Sequence, residues 1–201
     1  MKFKKIFTFS IFLSIYLPIF TFSTFSCKFV KATNKNEEKI IIKKVIDGDT
    51  VVVKLNNKDT IIRLYGVDTP EINKDNVIDK NISKLEDHYG LLAKKFLEKL
   101  LYKYGTSAIF IKQNVDKYKR LVGILKLNNI DIGKELLKNG FARKAYISIN
   151  KNSYDYKFYG TKNAFQKNYY NELEQVENYA KKYQKGFWKE QDIKQIFHKW
   201  K

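Results

Sequence analysis

Residues 39–71 read KIIIKKVIDGDTVVVKLNNKDTIIRLYGVDTPE, and this stretch decides the fold. Ile and Val dominate Lys39 to Asp47, the pattern of a strand. Asp47-Gly48-Asp49 reads as a turn, because Gly and Asp tolerate tight and left-handed backbone. Thr50 to Leu55 alternates as a second strand, and Asn56-Asn57-Lys58-Asp59 as a hairpin loop. Thr60 to Val67 is a third strand, stopped by Asp68-Thr69-Pro70. Three strands with connections this short form a meander.

Working outward, Glu71 to Ser83 is polar and aperiodic, hence a loop. Glu86 to Tyr104 is helical: Leu92, Phe96 and Leu100 fall four apart, with Leu97 and Leu101 widening the stripe. Ser107 to Asn114 and Arg120 to Leu127 read as strands four and five. Asp131 to Lys138 is a short helix ended by Asn139-Gly140. Residues 150–168 carry no clear period. Tyr170 to Gln184 is a last helix, with Leu173, Val176, Ala180 and Tyr183 on one face and Gly186 as its stop. Five strands with a helix between the third and fourth, and about three helices in all, is the element pattern of an α+β chain built on an OB-fold barrel.

The chain has 201 residues, enough for one domain with a sizeable core, and neither a repeat nor a Gly/Ser/Pro linker announces a second. Lys plus Arg number 39 against 21 Asp plus Glu, a formal charge of +18. That surplus draws in a polyanion, either nucleic acid or an anionic membrane surface. A chain rich in Lys, Asn, Ile, Phe and Tyr by genomic bias carries the same signature. One cysteine, Cys27, excludes an intrachain disulfide and a cysteine zinc cluster. Two distant histidines, His88 and His198, give little support to a Ser-His-Asp hydrolase.

Lys2, Lys4 and Lys5 precede an uncharged apolar run from Ile6 to Phe25, which reads as a signal peptide over residues 1–26 or as an uncleaved anchor. Ser26-Cys27 is similar to a bacterial lipoprotein cleavage site; an inert thiol is the alternative. Residues 27–39 form a tether, 40–188 the domain and 189–201 a basic tail. The chain is expected to be secreted, or held on the outer face of the cell membrane by lipid on Cys27, and monomeric.

The chemistry-bearing residues sit on the meander. Asp49 precedes strand two and Asp68 ends strand three, so a hairpin brings both to one edge, where hard-oxygen ligands suit calcium or magnesium. Thr69 adds an oxygen, and Glu71 can orient water. Arg63 can grip phosphate oxygens bidentately. Such a set suits phosphodiester hydrolysis, since cations stabilise charge on the phosphoryl oxygens and a carboxylate activates water. The same carboxylates can also be plain turn caps.

Residues 46–50 (Ile46-Asp47-Gly48-Asp49-Thr50) and 62–71 (Ile62-Arg63-Leu64-Tyr65-Gly66-Val67-Asp68-Thr69-Pro70-Glu71) resemble the two signature stretches of the staphylococcal nuclease family. Asp116-Lys117-Tyr118-Lys119-Arg120, Gly140-Phe141-Ala142 and Gly186-Phe187-Trp188 match further landmarks, so the resemblance runs from about Ile40 to Trp188. It implies an OB-fold nuclease that needs one calcium ion, cuts single- and double-stranded DNA and RNA, and leaves 3′-phosphate ends. Asp49, Asp68 and the Thr69 carbonyl would bind the metal. Glu71 would act as or position the general base, and Arg63 and Arg120 would hold the scissile phosphate. Lys117 and Tyr118 would contact a terminal phosphate, and Tyr146 would stack near the base. A catalytically inactive nucleic-acid-binding module of the same fold is the alternative. Three departures stand out. Lys119 replaces a usual glycine, the Glu71–Tyr89 loop is longer with Leu91-Leu92 for a Pro-Glu pair, and Ser148 stands where a second tyrosine is expected.

Overall fold

The computed structural model describes residues 37–73 and 81–197. The leader, Cys27, His198 and most of the tether lie outside them. Strand β1 (Glu37–Val45) is followed by β2 (Thr50–Leu55), β3 (Lys58–Leu64) and the two-residue β4 (Val67–Asp68). Helix α1 (Lys84–Tyr104) leads to β5 (Ser107–Val115), β6 (Leu121–Leu127) and β7 (Ile130–Asp131). Then come α2 (Ile132–Lys138), β8 (Arg143–Lys144), α3 (Tyr154–Tyr159) and α4 (Ala164–Lys182), with two 3-10 turns beyond. Among the described residues no helix is long and apolar enough to cross a membrane.

The meander forms as expected. β1 pairs antiparallel with β2, and β2 with β3, with Thr50 opposite Arg63. β1 also pairs with β5, and β5 with β6. A parallel pairing of β3 with β6, Ile62 to Leu121 through Leu64 to Gly123, closes these five strands into a barrel. Register shifts between Ile42 and Lys44 and between Lys112 and Asn114 mark the bulges that let long strands curl enough to close. Inside lie Val51, Val53, Ile62, Phe110, Leu125 and Leu127, each with no exposure to water. An OB-fold barrel with helices packed around it is the architecture.

Three details differ from the sequence pattern. β1 begins at Glu37, so residues 37–39 pair with β5 rather than belonging to a tether. The buried stripe of α1 is Tyr89, Gly90, Ala93, Leu97 and Leu100, while Leu92 and Phe96 sit on its flank. Small residues there let the helix approach the barrel closely, a preference that counting large apolar residues misses. The third difference is α4, which starts at Ala164, six residues before the expected Tyr170. Its first buried position is Gln166, whose amide donates to Gln113 Oε1 (3.1 Å) and accepts from the Lys162 N–H (2.7 Å). A polar side chain doing a core residue's job breaks the apolar period. The expected face holds at Leu173 and Ala180, but Tyr183 is exposed and Tyr169 and Glu177 are buried instead.

The tail folds back. Ile196 and Phe197 are buried against Tyr89 and Phe187, so the domain extends past Trp188. The turn between β5 and β6 holds Lys119 at φ +62°, in the left-handed region. Asp116 compensates: its Oδ1 accepts the N–H groups of Tyr118 and Arg120, both at 2.9 Å, and its carbonyl accepts the Lys119 N–H (3.0 Å). A non-glycine residue in that region costs roughly 1–2 kcal/mol, partly offset by glycine's larger entropy loss on folding. Lys119→Gly is therefore expected to raise unfolding free energy by up to about 1 kcal/mol in urea titrations. A loss of stability would show the turn to be unstrained.

Candidate active site

The site grows from the end of the β2–β3 hairpin. The Leu64 N–H donates to the Asp49 carbonyl (2.8 Å), which locks the Asp47-Gly48-Asp49 turn to the end of β3. Gly48 is required there: a Cβ would stand 2.6 Å from Ala93 Cβ on α1 and 2.8 Å from Thr69 Cγ2. Four residues after β3, Asp68 lies in β4, paired with Arg143 of β8. Asp49 and Asp68 thus reach one edge, as the hairpin argument requires.

What meets them is Arg63. Its Nη2 lies 3.2 Å from Asp49 Oδ2 and 2.9 Å from Asp68 Oδ1, and its Nη1 donates to the Val67 carbonyl (3.0 Å). Arg143 takes the other oxygen of Asp68, with Nη2 at 2.9 Å and Nε at 3.0 Å. Burial disfavours charge on Arg63, but Asp49 and Asp68 outweigh it and raise its pKa. Burial, and Asp49 beside it, raise Asp68, against the pull of Arg63 and Arg143. Asp47 is pushed up to about 7, first by burial and then by Asp49, with Glu71 adding to it.

Glu71 is exposed at the mouth of the site, on a segment tied to α1. Gly90 permits the close approach, since a Cβ there would lie 2.6 Å from the Glu71 carbonyl oxygen and 2.8 Å from that of Pro70. The Asn73 N–H donates to Asp87 Oδ1 (2.7 Å), and buried Glu86 Oε1 lies 3.5 Å from the Glu71 nitrogen.

A pocket of about 590 Å³ joins this cluster to the β5–β6 turn. Its walls include Asp49, Arg63, Thr69 and Glu71 on one side, and Lys117, Tyr118 and Arg120 on the other. Tyr146 closes a third side. Eight of the nine sequence-selected residues therefore face one cavity, and the ninth, Asp68, is bonded to Arg63. Arg120 is half-buried, and its Nε donates to Asp116 Oδ2 (2.7 Å). Tyr118 is 68% exposed, with Lys117 Nζ 5.0 Å and Arg120 Cζ 5.3 Å from its ring centroid. Tyr146, at φ +57°, lies beneath the Arg63 guanidinium at 4.7 Å. Burial, with Asp68 nearby, pushes its hydroxyl up to about 12, so it stays protonated as a donor.

Sequence reasoning missed Arg143, Asp47 and the aromatic wall residue Phe158. Arg143 follows the matched Gly140-Phe141-Ala142 directly, but only the β4–β8 register reveals that it faces Asp68. The turn pattern of Asp47-Gly48-Asp49 accounts for Asp47 by backbone geometry and gives no sign of its burial.

The donor set fits a hard cation in kind. Among the described residues no three His, Cys, Asp or Glu side chains converge to hold a metal. Two carboxylates and the Thr69 carbonyl would have to be completed by water, which calcium accepts with its six to eight oxygen ligands. Burial first, and then the Asp49 charge, disfavour ionised Asp47, and a divalent cation beside it would favour the ionised form.

The staphylococcal nuclease homologue family matches residues 61–190. The thermonuclease of Staphylococcus hyicus is 30% identical over 156 residues, 78% of this chain and 79% of that protein. The thermonuclease of Staphylococcus intermedius is 31% identical over 119 residues, 59% of this chain and 67% of its own. An uncharacterized protein of Methanocaldococcus jannaschii is 39% identical over 123 residues, 52% of this chain, which spans 58% of that relative's length. The family match runs from the second half of β3 through the Arg63–Glu71 corner, the β5–β6 turn and α4, and the S. hyicus relative extends over 78% of the chain: this chain belongs to the staphylococcal nuclease family.

Proposed function

We propose that the protein is a calcium-dependent nuclease that hydrolyses DNA and RNA with little sequence preference and leaves 3′-phosphate ends. The observation that carries this reading is one pocket lined by the exposed carboxylate of Glu71, by Arg63 and Arg120, by Lys117 and by Tyr118 and Tyr146, with buried Asp49 and Asp68 at its edge. Arginine, lysine and tyrosine contacts to phosphate carry affinity without a base code.

Glu71, at the mouth, takes the proton of a water that attacks phosphorus. The bond that breaks joins phosphorus to the 5′ oxygen, so the phosphate stays on the 3′ side. Arg63 and Arg120 hold the phosphoryl oxygens as charge builds on them. Arg63 is pinned by Asp49 and Asp68, so its guanidinium is oriented before substrate arrives. Arg120 is oriented by Asp116, with Lys119 as the strained link. Lys117 and Tyr118 take a terminal phosphate, and Tyr146 lies beside the base. Asp49, Asp68 and the Thr69 carbonyl would hold calcium, which supplies positive charge to the developing phosphorane. With the leader read as an export signal, the working place is outside the cell, where weak calcium sites suffice.

Glu71→Gln is expected to lower turnover on single-stranded DNA by about 100- to 10,000-fold while anisotropy-measured binding survives. Near-normal turnover would remove Glu71 from the mechanism. A chelator is expected to abolish cutting and a calcium titration by calorimetry to give saturable heat. A folded protein that binds DNA but fails to cut it in the presence of any divalent ion would instead be an inactive binding module. Raising salt is expected to weaken binding with a log–log slope of about −2 or steeper, from three or more phosphate contacts; a flat response would argue against phosphate contacts by Arg63, Lys117 and Arg120.

A further inference from the structure

Helix α3 (Tyr154–Tyr159) contributes nothing to the core. None of its residues is buried, and Tyr154, Phe158 and Tyr159 are 79%, 55% and 37% exposed. Hydrophobic burial therefore gives no reason for three large rings on a six-residue helix, and a contiguous exposed apolar patch marks an interaction surface. The helix is nevertheless fixed in place. Ser153 caps it by accepting the Tyr156 N–H, and the Ser148 N–H donates to the Tyr159 carbonyl (2.9 Å). The Thr161 N–H returns a bond to the Ser148 carbonyl (2.9 Å). Ser148, standing where the resemblance anticipates a tyrosine, thus anchors α3, and Tyr159 brings its ring to Tyr146 from another element.

The rings form a row. Tyr146 and Tyr159 are 5.1 Å apart between centroids, Tyr159 and Phe158 are 6.3 Å, and Phe158 and Tyr154 are 5.3 Å. Their planes are inclined by 71°, 53° and 56°, so no ring is capped face to face by its neighbour in the row. The row starts under the Arg63 guanidinium, inside the pocket, and leaves it at Tyr154. Lys157 Nζ lies 5.7 Å from the Phe158 centroid, which adds a cation beside the rings.

We propose that this row is a stacking track for the unpaired bases of a single strand, extending outward from the nucleotide held in the pocket. The proposal rests on the nuclease reading above. Every base has a π-face, so an aromatic track binds without sequence preference, and cations alongside serve the phosphates. A duplex keeps those faces in its own stack and cannot use the row. Continuity with a pocket that presents Arg63, Lys117 and Arg120, on a chain of charge +18, selects a polyanion over an apolar partner. The track therefore favours single-stranded over double-stranded nucleic acid, and longer strands over short ones.

The test measures binding of labelled oligonucleotides by anisotropy in the Glu71→Gln background, so that cleavage plays no part. Tyr154→Ala is the probing variant, because its ring lies outside the pocket and outside the core. It is expected to weaken binding of a long single strand about fivefold or more, while a dinucleotide and a duplex bind as before. The salt slope is expected to stay unchanged, since stacking releases no counterions. Tyr154→Trp is expected to restore affinity. Undiminished long-strand binding by Tyr154→Ala, an equal loss on the dinucleotide or duplex, a shallower salt slope, or no rescue by Trp would each overturn the proposal. Loss of self-association in Tyr154→Ala, with strand binding intact, would assign the row to a second copy instead. A parent protein that binds long strands through Tyr154 but never cuts them would refute the nuclease reading and leave the track standing.

Discussion

Three residues of parallel pairing, Ile62–Leu64 against Leu121–Gly123, shut the barrel, and the rest of the molecule depends on that closure. Antiparallel neighbours pair through short turns, so β1, β2 and β3 assemble locally. β3 and β6 are some 60 residues apart, so their pairing closes a long stretch of chain that also holds α1 and β5. Closing removes two open sheet edges and buries the interior side chains at once. It also brings the loops that precede β6 and follow β3 to one rim. Without it, Arg63 and Arg120 would belong to different edges of an open sheet.

On that rim the electrostatics are concentrated in a buried arrangement of two aspartates and two arginines. Asp68 gives one oxygen to Arg63 and the other to Arg143, and Arg63 reaches across to Asp49. Breaking a buried pair by removing one partner costs about 3–5 kcal/mol, because the remaining charge stays desolvated. The arrangement therefore fixes the guanidinium in the folded protein, the preorganisation that the proposed phosphate-binding role of Arg63 requires.

The loops around this core are held by different devices. Gly48 and Gly90 let the two acidic loops approach α1, Asp116 secures a left-handed lysine, and Ser148 carries α3. Each device fixes a side chain that faces the pocket, and each uses backbone hydrogen bonds or close approach rather than apolar burial. This is why the site side of the barrel can be polar and still ordered.

How much of this was legible beforehand follows from range. The meander, its two turns, α1 and the strands either side of Lys119 were readable, because period-2 and period-3.6 patterns and turn residues are local properties. Of the nine candidate residues, Asp49, Arg63, Asp68, Thr69 and Glu71 could be grouped from spacing, since they lie within 23 residues around one hairpin, while Lys117, Tyr118, Arg120 and Tyr146 rested on the family resemblance. Even the strain at Lys119 was foreseeable from the residue type a left-handed turn prefers. Other features depended on partners far along the chain. Arg143 reaches Asp68 only through the β4–β8 register, 75 residues away. Gln166 starts α4 because Gln113, 53 residues earlier, meets its amide. Tyr159 joins Tyr146 because Ser148 bonds to α3. The sequence by itself determined the local elements and the kinds of chemical group on them. Tertiary structure decided which charges neutralise one another and which rings line up, because desolvation and side-chain distance are set by closure of the whole barrel.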